Sequence, residues 1–437
     1  MRNSHHRSRH PVSPLLHLPI LSAAAFTLCF ILFLRRYSTP LIKVESLSPL
    51  HHTPPPNPLA FPRNSSLESP AAVSTGPYHD WELFQADYND MIRNLKIYAY
   101  PDVFGNVSSR VSFASIFTPL GDPLDAKLGN YYSEHMFKLA LLNSDLITFR
   151  PEEARLFFLP FSINALRNDR RVRSEEAIAE FVARYVGDVS REFRFWNASG
   201  GADHFFVCCH SVGREAVSRH YELHNNAIQV TCSSSYFQRL YVAHKDVGLP
   251  QVWPRPVEKE LNLPHARRRL VFFAGRKQNS DLRRLLMTLF RNDSDLDIFE
   301  TTSAFSYEEG FRRSKYCLHV KGYEVNTARL SDAIHYGCIP VVLSNYYDLP
   351  FANIVDWNKF SVIINHNQVG DLKKILSSIP EEMYLIMYSN LCLVRRHFRW
   401  HHVPEAFDAF YMTAYQLWLK RNSQRVHYII PNEDIVT

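Results

Sequence analysis

Several patterns that mark other classes of protein are absent from this chain of 437 residues. No Cys-X-X-Cys or Cys-X-X-His cluster occurs, which argues against a structural zinc site. No segment repeats another, so the chain is not a repeat array. With 46% hydrophobic and 13% aromatic residues, the composition is that of a globular protein long enough for two ordinary domains.

An excess of positive charge is also missing from most of the chain. The formal net charge of +6 arises largely in residues 1–36, which contain five arginines and no acidic residue. Without those five arginines, 44 basic residues stand against 43 acidic ones. A broad surface for a nucleic-acid backbone is therefore not expected.

Long apolar runs are scarce, and residues 15–34 form the only one of membrane length. Twenty helical residues cover a hydrocarbon core of about 30 Å. A cleaved signal peptide is the competing interpretation, but the run ends in Arg35-Arg36 and not in a small-residue cleavage site. We expect a cytosolic tail at 1–14, a transmembrane signal-anchor at 15–34 and a Pro-rich stem at 35–80.

Four glycosylation tripeptides follow the apolar run, and together they favour a lumenal body. They begin at Asn64, Asn106, Asn197 and Asn292. Six cysteines lie in that body, and an oxidising lumen permits disulfides among them. Pairing of Cys208 or Cys209 with Cys232 is one prediction, and small buried thiols are the alternative.

Continuous apolar strands alternate with helices through two successive segments. This alternation predicts parallel sheets that are covered on both faces. The segments, 81–255 and 265–437, are joined by a Pro-rich linker, which indicates two Rossmann-like α/β domains facing across a cleft. The last helix of the second segment can pack back on the first.

Residues 314–351 predict a strand, a polar loop, a short helix that stops at Gly337, and another strand. Arg329, Asp332 and Tyr336 share one face of this helix, because they fall at i, i+3 and i+7. We expect Asn326 or Thr327 to cap the helix. A helix start beside a cation suits a phosphate, and the carboxylate suits sugar hydroxyls, so the pattern suggests a nucleotide-sugar site. An ordinary αβ unit with a solvated polar face is the alternative.

Longer motifs run from residue 95 to about residue 420, and with them the chain resembles the plant exostosin-like glycosyltransferases of family 47. The matching motifs are Leu95-Lys-Ile-Tyr-Ala-Tyr-Pro-Asp, Glu153-Ala-Arg-Leu-Phe-Phe-Leu-Pro, Gly201-Ala-Asp-His-Phe-Phe, His244-Lys-Asp-Val-Gly-Leu-Pro, Phe272-Phe-Ala-Gly-Arg, Ser314-Lys-Tyr-Cys-Leu and Asp332-Ala-Ile-His-Tyr-Gly.

The resemblance implies a GT-B architecture, with an N-terminal acceptor domain and a C-terminal nucleotide-sugar domain. It also implies inverting transfer of a sugar, with a UDP-sugar as the expected donor, to a cell-wall polysaccharide or glycoprotein glycan. Such proteins are type II proteins of the Golgi membrane, which agrees with the predicted tail, anchor and stem. Complexes with other Golgi glycosyltransferases are a further expectation, whereas a nucleic-acid partner is not expected.

Donor binding is expected at the polar loop and helix of the second domain, including the start of that helix. The predicted residues are Arg276, Lys321, Gly322, Glu324, Thr327, Arg329 and Asp332. The positive groups face the departing diphosphate, and Asp332 accepts hydrogen bonds from the ribose. No Asp-X-Asp motif follows a strand, and Asp293-Ser-Asp295 lies in a loop, so neither a metal nor a cofactor is expected.

An inverting transfer needs a base for the proton of the acceptor hydroxyl, and the base should come from the first domain. The candidates are Glu134, Asp203, His204 and His210, with His135 beside the first of them. The family commonly has Cys-His-Asp where this chain has Cys209-His210-Ser211, and commonly has Cys-Pro where it has His319-Val320. Because of Ser211, the alternative is a catalytically silent member that binds glycans or joins a complex.

Overall fold

A computed structural model describes residues 76–101, 114–119, 122, 124–172, 174–237, 240–255, 260–278, 280–302 and 304–428. The predicted tail at 1–14, the anchor at 15–34, most of the stem and the sequons at Asn64 and Asn106 lie outside these residues. Within the described ranges, no helix has both the length and the apolar composition needed to cross a bilayer.

The first half of the body is built on six parallel strands in the spatial order β2-β1-β3-β4-β5-β6. They are β1 (Ile97–Ala99), β2 (Ile147–Thr148), β3 (Leu156–Phe158), β4 (His204–Val207), β5 (Ile228–Thr231) and β6 (Val247–Gly248). The three central strands β3, β4 and β5 are buried throughout, because helices cover both faces of the sheet. The apolar runs predicted four of these strands, whereas β2 and β6 are too short to leave a pattern.

The second half carries five parallel strands in the order β8-β7-β9-β10-β11. They are β7 (Arg269–Ala274), β8 (Leu296–Phe299), β9 (Ser314–Val320), β10 (Ile339–Leu343) and β11 (Val362–Ile363). In both sheets the first strand lies between the second and the third. The connections on the two sides of the β1/β3 pair, and of the β7/β9 pair, therefore run in opposite directions along the sheet. Such switch points open crevices at the carboxyl ends of strands.

Helices flank the sheets. In the first half they are α1 (Trp81–Asn94), α2 (Ala114–Phe117), α3 (Tyr132–Leu142), α4 (Ile163–Asn168), α5 (Glu175–Glu192), α6 (Arg194–Ser199), α7 (Ser211–Ser218) and α8 (Tyr221–Asn225). In the second half they are α9 (Asp281–Phe290), α10 (Tyr307–Arg313), α11 (Arg329–His335), α12 (Leu372–Ser377), α13 (Glu381–Val394) and α14 (Ala409–Tyr428). The hydroxyls of Ser174 and Ser306 cap α5 and α10 by accepting backbone N–H groups at 3.1 and 3.0 Å.

The two halves share one buried hydrophobic cluster, to which Phe137 of α3, Val341 of β10 and Leu391 of α13 all belong. The last helix, α14, contacts the first half. The ring of Phe410 lies 5.5 Å from that of Phe137, and Lys420 Nζ donates a 2.6 Å hydrogen bond to the carbonyl of Ala243. Packing of this kind holds the two sheets together.

The structure contains two disulfides, Cys209–Cys232 just after β4 and β5 in the first half, and Cys317–Cys338, which joins the middle of β9 to the residue before β10, in the second. The first is one of the two pairings that the sequence predicted. The second was not predicted. Cys208 is a buried free thiol and Cys392 an exposed one.

Candidate functional site

A cleft of about 870 Å³ opens where strands of both sheets reach their carboxyl ends. The first half contributes the residues that follow β4, including His210 and Ser211, and Trp253 of the linker. The second half contributes the segment that follows β9, from Gly322 to Arg329, and the polar face of α11. The cleft thus lies at the β7/β9 switch point, where parallel α/β sheets bind ligands.

Two arginines meet at this switch point. Arg329 begins α11, and its Nε donates to the carbonyl of Ala274 at 2.7 Å. Arg283 of α9 is 6% exposed and donates to the carbonyl of Val320 at 2.8 Å. Within the described part of the chain, no carboxylate lies at ion-pairing distance from either guanidinium. Burial, and next the charge of Arg329, lower the pKa of Arg283 to about 10. A bound anion would relieve this repulsion.

Two glycines allow the arginines to lie against the backbone. A Cβ on Gly275 would stand 2.7 Å from Nη2 of Arg329, closer than atoms can approach. A Cβ on Gly322 would stand 3.0 Å from Nη2 of Arg283. Glycine at these positions therefore gives the guanidinium groups the space that a side chain would fill.

The polar face of α11 points into the cleft, as the spacing predicted, because Arg329, Asp332 and Tyr336 all line it. Asp332 is 3% exposed. One of its oxygens accepts a 3.0 Å hydrogen bond from the hydroxyl of Tyr307, and the other forms an ion pair with Arg255 of the linker. Asp332 is thus a carboxylate fixed at both oxygens, by Tyr307 and by Arg255.

The loop before α11 is joined to the first half by polar contacts. Glu324 Oε1 accepts from Arg214 of α7 at 2.7 Å, and its Oε2 accepts from the hydroxyl of Ser233 at 2.8 Å. Asn326 Nδ2 donates to Gln251 Oε1 at 2.8 Å. These contacts fix the separation of the two halves at one edge of the cleft.

The predicted side-chain cap of α11 is wrong. Ala328 precedes the helix, and no side chain caps it. Asn326 bonds Gln251 instead, and Thr327 Oγ1 lies 3.1 Å from Nδ1 of the buried His319. Nε2 of His319 lies 3.0 Å from the carbonyl of Val325, which can only accept, so Nε2 carries the proton and Nδ1 accepts from Thr327. Tertiary contacts therefore replace the local cap.

Acidification is expected to destabilise the protein through His319. Burial lowers the pKa of His319 to about 3, below its ordinary value of about 6.5. The unfolded chain therefore binds the proton first, so the stabilisation is complete above about pH 6.5 and is lost as the pH falls toward 3. The His319→Gln variant should show a shallower acid limb in the free energy of unfolding against pH.

The matched control is His401→Gln. The Asp408 carboxylate raises the pKa of His401, so this residue contributes stability at low pH and its loss cannot flatten the acid limb. Parallel acid limbs in wild type and His319→Gln would contradict the assignment.

Two of the predicted donor residues are not brought into the cleft. The side chain of Arg276 is exposed. Its backbone carbonyl contributes to the site by accepting a 3.2 Å hydrogen bond from Arg283 Nη1. Lys321 is half-buried and faces His366, whose pKa is lowered first by burial and then by the lysine charge. The other predicted donor residues line the cleft, namely Gly322, Glu324, Thr327, Arg329 and Asp332.

Three of the four predicted bases lie away from the cleft. Glu134 is buried and accepts from the hydroxyl of Ser162 and the backbone N–H of Cys209, at 2.8 and 3.2 Å. Burial raises the pKa of its carboxyl. Asp203 Oδ1 lies 2.8 Å from Nδ1 of the fully buried His204, at the amino end of β4. That end of the sheet is opposite the cleft, so their geometry supports a packing role.

His210 lines the cleft, but both of its ring nitrogens are occupied. Nδ1 accepts from the N–H of Val212 at 3.0 Å, which caps α7, and Arg167 contacts Nε2. Burial, followed by the charge of Arg167, lowers its pKa to about 4, so the ring is neutral at physiological pH. His135 does not line the cleft, and burial lowers its pKa to about 4 as well.

No group of three or more metal-binding side chains occurs among the residues that the structure describes. The Asp-X-Asp sequence is engaged otherwise, because Asp293 and Asp295 each lie 2.8 Å from Nζ of Lys373. The carboxylates of this sequence therefore hold a lysine at the surface.

Sequence reasoning missed Arg283, Arg214 and Arg255. A signal for Arg283 was present, because it lies on the buried face of α9 with Leu286 and Phe290, at i, i+3 and i+7. A charged residue at an apolar position of an amphipathic helix indicates a specific partner. Arg255 follows Pro254 in the linker, where no periodicity marks it.

Comparison with known proteins gives three findings. The model of the exostosin GT47 domain matches residues 91–379. "Probable glycosyltransferase At3g07620" of Arabidopsis thaliana is 30% identical over 361 residues, covering 79% of this chain and 72% of that protein. "Probable beta-1,4-xylosyltransferase IRX10L" of the same plant is 26% identical over 322 residues, covering 68% of this chain and 76% of that protein. The crystal structure of TarM aligns with 56% of this chain and 58% of that one at 8% identity, and its TM-score of 0.30 is too low to support a statement about the fold.

Proposed function

We propose, since this chain belongs to the exostosin GT47 family of glycosyltransferases, that the cleft binds a nucleotide-sugar donor and transfers its sugar, with inversion, to a glycan. The two parallel sheets then act as the acceptor and donor domains of a GT-B enzyme. A UDP-sugar is the proposed donor, and a cell-wall polysaccharide or glycoprotein glycan is the proposed acceptor.

The observation that carries this proposal is the pair of guanidinium groups at the β7/β9 switch point. Arg283 and Arg329 line the cleft and hydrogen-bond to carbonyl groups, and among the residues that the structure describes no carboxylate pairs with their positive charges. Departure of the nucleoside diphosphate develops negative charge at this place. Fixed cations that face the developing charge stabilise the transition state, and they need no cofactor to do so.

Donor orientation is assigned to Asp332, which lies one helical turn after Arg329. We propose that its carboxylate, which Tyr307 and Arg255 hold in place at its two oxygens, accepts hydrogen bonds from the ribose hydroxyls at the remaining lone pairs. Glu324 stands at the edge of the cleft nearest the first half, where the transferred sugar meets the acceptor. The loop thereby holds the nucleotide and its sugar in one orientation.

The Asp332→Asn variant is expected to bind UDP about 10-fold or more weakly, because a charged acceptor is replaced by a neutral one of equal shape. Isothermal titration calorimetry of the purified body measures this affinity. Asp295→Asn is the matched control, since its carboxylate pairs with Lys373 and does not line the cleft. Equal affinity of Asp332→Asn and wild type would contradict the ribose assignment.

A second candidate function is glycan binding without turnover. It is favoured by Ser211, which lines the cleft where the family resemblance leads one to expect an aspartate, and by the occupied ring nitrogens of His210. Release of free sugar from nucleotide sugars separates the two candidates. Hydrolysis of any donor by the purified body supports the transferase, whereas nucleotide binding without hydrolysis or transfer supports the binding protein.

We propose that the protein is a type II protein of the Golgi membrane with a lumenal body. Support comes from the apolar run at 15–34, the exposed sequon residues Asn197 and Asn292, and the two disulfides, which persist in oxidising compartments. Glycosidase treatment of the protein from plant cells should raise its gel mobility. Labelling of the body by a cytosolic biotin ligase would contradict this topology.

A further inference from the structure

Three large aromatic side chains project into solvent from two neighbouring loops, and we call them the aromatic platform. They are Tyr236 and Phe237, which follow β5, and Tyr346, which follows β10. Their exposures are 60%, 80% and 60%. The rings of Phe237 and Tyr346 stack at a centroid distance of 5.2 Å and an interplanar angle of 27°. An exposed cluster of this kind marks an interaction site.

The platform is held rigidly. The hydroxyl of Tyr236 donates to Asp348 Oδ1 at 2.6 Å, and the hydroxyl of Tyr241 donates to the other oxygen. The N–H of Tyr236 donates to the carbonyl of Tyr346 at 2.9 Å, and Ser235 forms an antiparallel bridge with Tyr347. Rings that are fixed before binding lose little conformational entropy when a ligand arrives.

The backbone of Tyr346 adopts an unusual conformation. Its φ is 64°, in the left-handed region that side chains other than glycine, asparagine and aspartate seldom adopt. A tyrosine held there against its preference places its ring on the surface. Such strain is concentrated at functional sites.

The platform continues from the edge of the cleft. Ser233, whose hydroxyl bonds Glu324 of the cleft, lies three residues before Tyr236. Three residues span at most about 10 Å. The loops that carry the platform leave the carboxyl ends of β5 and β10, on the same side of the sheets as the cleft. The platform is therefore within reach of a chain molecule that leaves the cleft at Glu324.

We propose that the aromatic platform binds the acceptor glycan, with Phe237 and Tyr346 stacking on the faces of its sugar rings. Pyranose faces present C–H groups with partial positive charge, which the negative face of an aromatic ring attracts. Both oxygens of Asp348 accept tyrosine hydroxyls, so this carboxylate is engaged in positioning the platform. The proposal rests on the proposed function, because it requires the acceptor to be a glycan.

The experiment compares wild type with the double variant Phe237→Ala/Tyr346→Asn. Asparagine tolerates positive φ, so it removes the ring and keeps the backbone. The probes are soluble β-1,4-xylan, xyloglucan and pectin in affinity electrophoresis, with UDP affinity measured in parallel by calorimetry. We expect wild type to bind at least one polysaccharide and the double variant to bind it about 10-fold or more weakly, with unchanged affinity for UDP.

The control variant is Phe149→Ala/Tyr221→Asn, which removes two rings that are 78% and 79% exposed elsewhere on the first half. It should bind the polysaccharides as wild type does. Equal glycan affinity in the platform variant and wild type, or no polysaccharide bound by wild type, would overturn the proposal. A dimer in light scattering that only the platform variant dissociates, with glycan affinity unchanged, would assign the platform to a second copy. Failure of wild type to bind UDP speaks against the donor site instead.

Discussion

Replacing Arg329 with alanine should lower the rate of sugar transfer by about two to three orders of magnitude, the usual cost of removing one donor that stabilises a developing charge. Arg329 is held at the cleft by its bond to the carbonyl of Ala274, and no carboxylate in the described part of the chain neutralises it. Arg329→Lys should recover activity only in part, because an ammonium group cannot bind a diphosphate in the bidentate manner of a guanidinium. Initial rates with a radiolabelled nucleotide sugar measure the effect.

Two arginine variants serve as controls for Arg329→Ala. Arg276→Ala removes an exposed side chain that the sequence placed at the donor, and Arg284→Ala removes a surface partner of Asp281. Surface substitutions of this kind change free energies by about 0.5 kcal/mol or less, so both should retain nearly full activity. If Arg329→Ala were as active as Arg284→Ala, the switch-point cations would not be the leaving-group site.

Replacing Glu324 with leucine should lower the free energy of unfolding by about 3 kcal/mol and also impair transfer. Arg214, which is 4% exposed, would lose its carboxylate, and its Nε and Nη1 already lack partners among the described residues. An uncompensated buried charge is the most costly consequence of breaking such a pair. Chemical denaturation followed by fluorescence measures the stability.

The double variant Glu324→Leu/Arg214→Met separates stability from function. Stability should return toward the wild-type value, because two apolar side chains can replace a buried ion pair. Activity should stay low, because the cleft has lost the carboxylate of Glu324. Asp281→Asn is the control, since the 92% exposed carboxylate of that surface pair contributes less than about 1 kcal/mol. If Glu324→Leu were as stable as wild type, the contact between Glu324 and Arg214 would not contribute to stability.

Periodicity alone predicted much of the second half. The apolar strands β7 to β10, the helix between β9 and β10, and its polar face at Arg329, Asp332 and Tyr336 all follow from local patterns. Such patterns work because burial on both faces imposes continuous apolar runs, and because helix geometry fixes which residues share a face.

Long-range contacts explain what local patterns failed to predict. Asn326 and Thr327 are good capping residues, but their side chains hydrogen-bond to Gln251 and His319 instead. Arg283 stands on the buried face of its helix, but no local pattern shows that its partner is the carbonyl of Val320, which is 37 residues away. Propensity describes a segment by itself, and contacts between distant segments override it.

The assignment of bases from sequence failed for a related reason. Asp203 and His204 precede the apolar run of β4, so they lie at the amino end of the sheet, whereas the cleft forms at the carboxyl end. Glu134 is buried, and its carboxylate accepts hydrogen bonds from the hydroxyl of Ser162 and the N–H of Cys209, so it does not line the cleft. Chemical type made these residues candidates; the direction of the parallel strands separates Asp203 and His204 from the cleft, and burial separates Glu134 from it.

Titration of UDP into the purified body, first with EDTA and then with Mn²⁺, tests most directly whether the switch-point cleft is the donor site. Saturable binding in EDTA that Arg329→Ala abolishes and Arg284→Ala preserves is the predicted result, because the two guanidinium groups supply the positive charge. Binding that appears only with Mn²⁺ would contradict the metal-free assignment. Absence of binding under both conditions, by a protein that is folded in circular dichroism, would contradict the donor site itself.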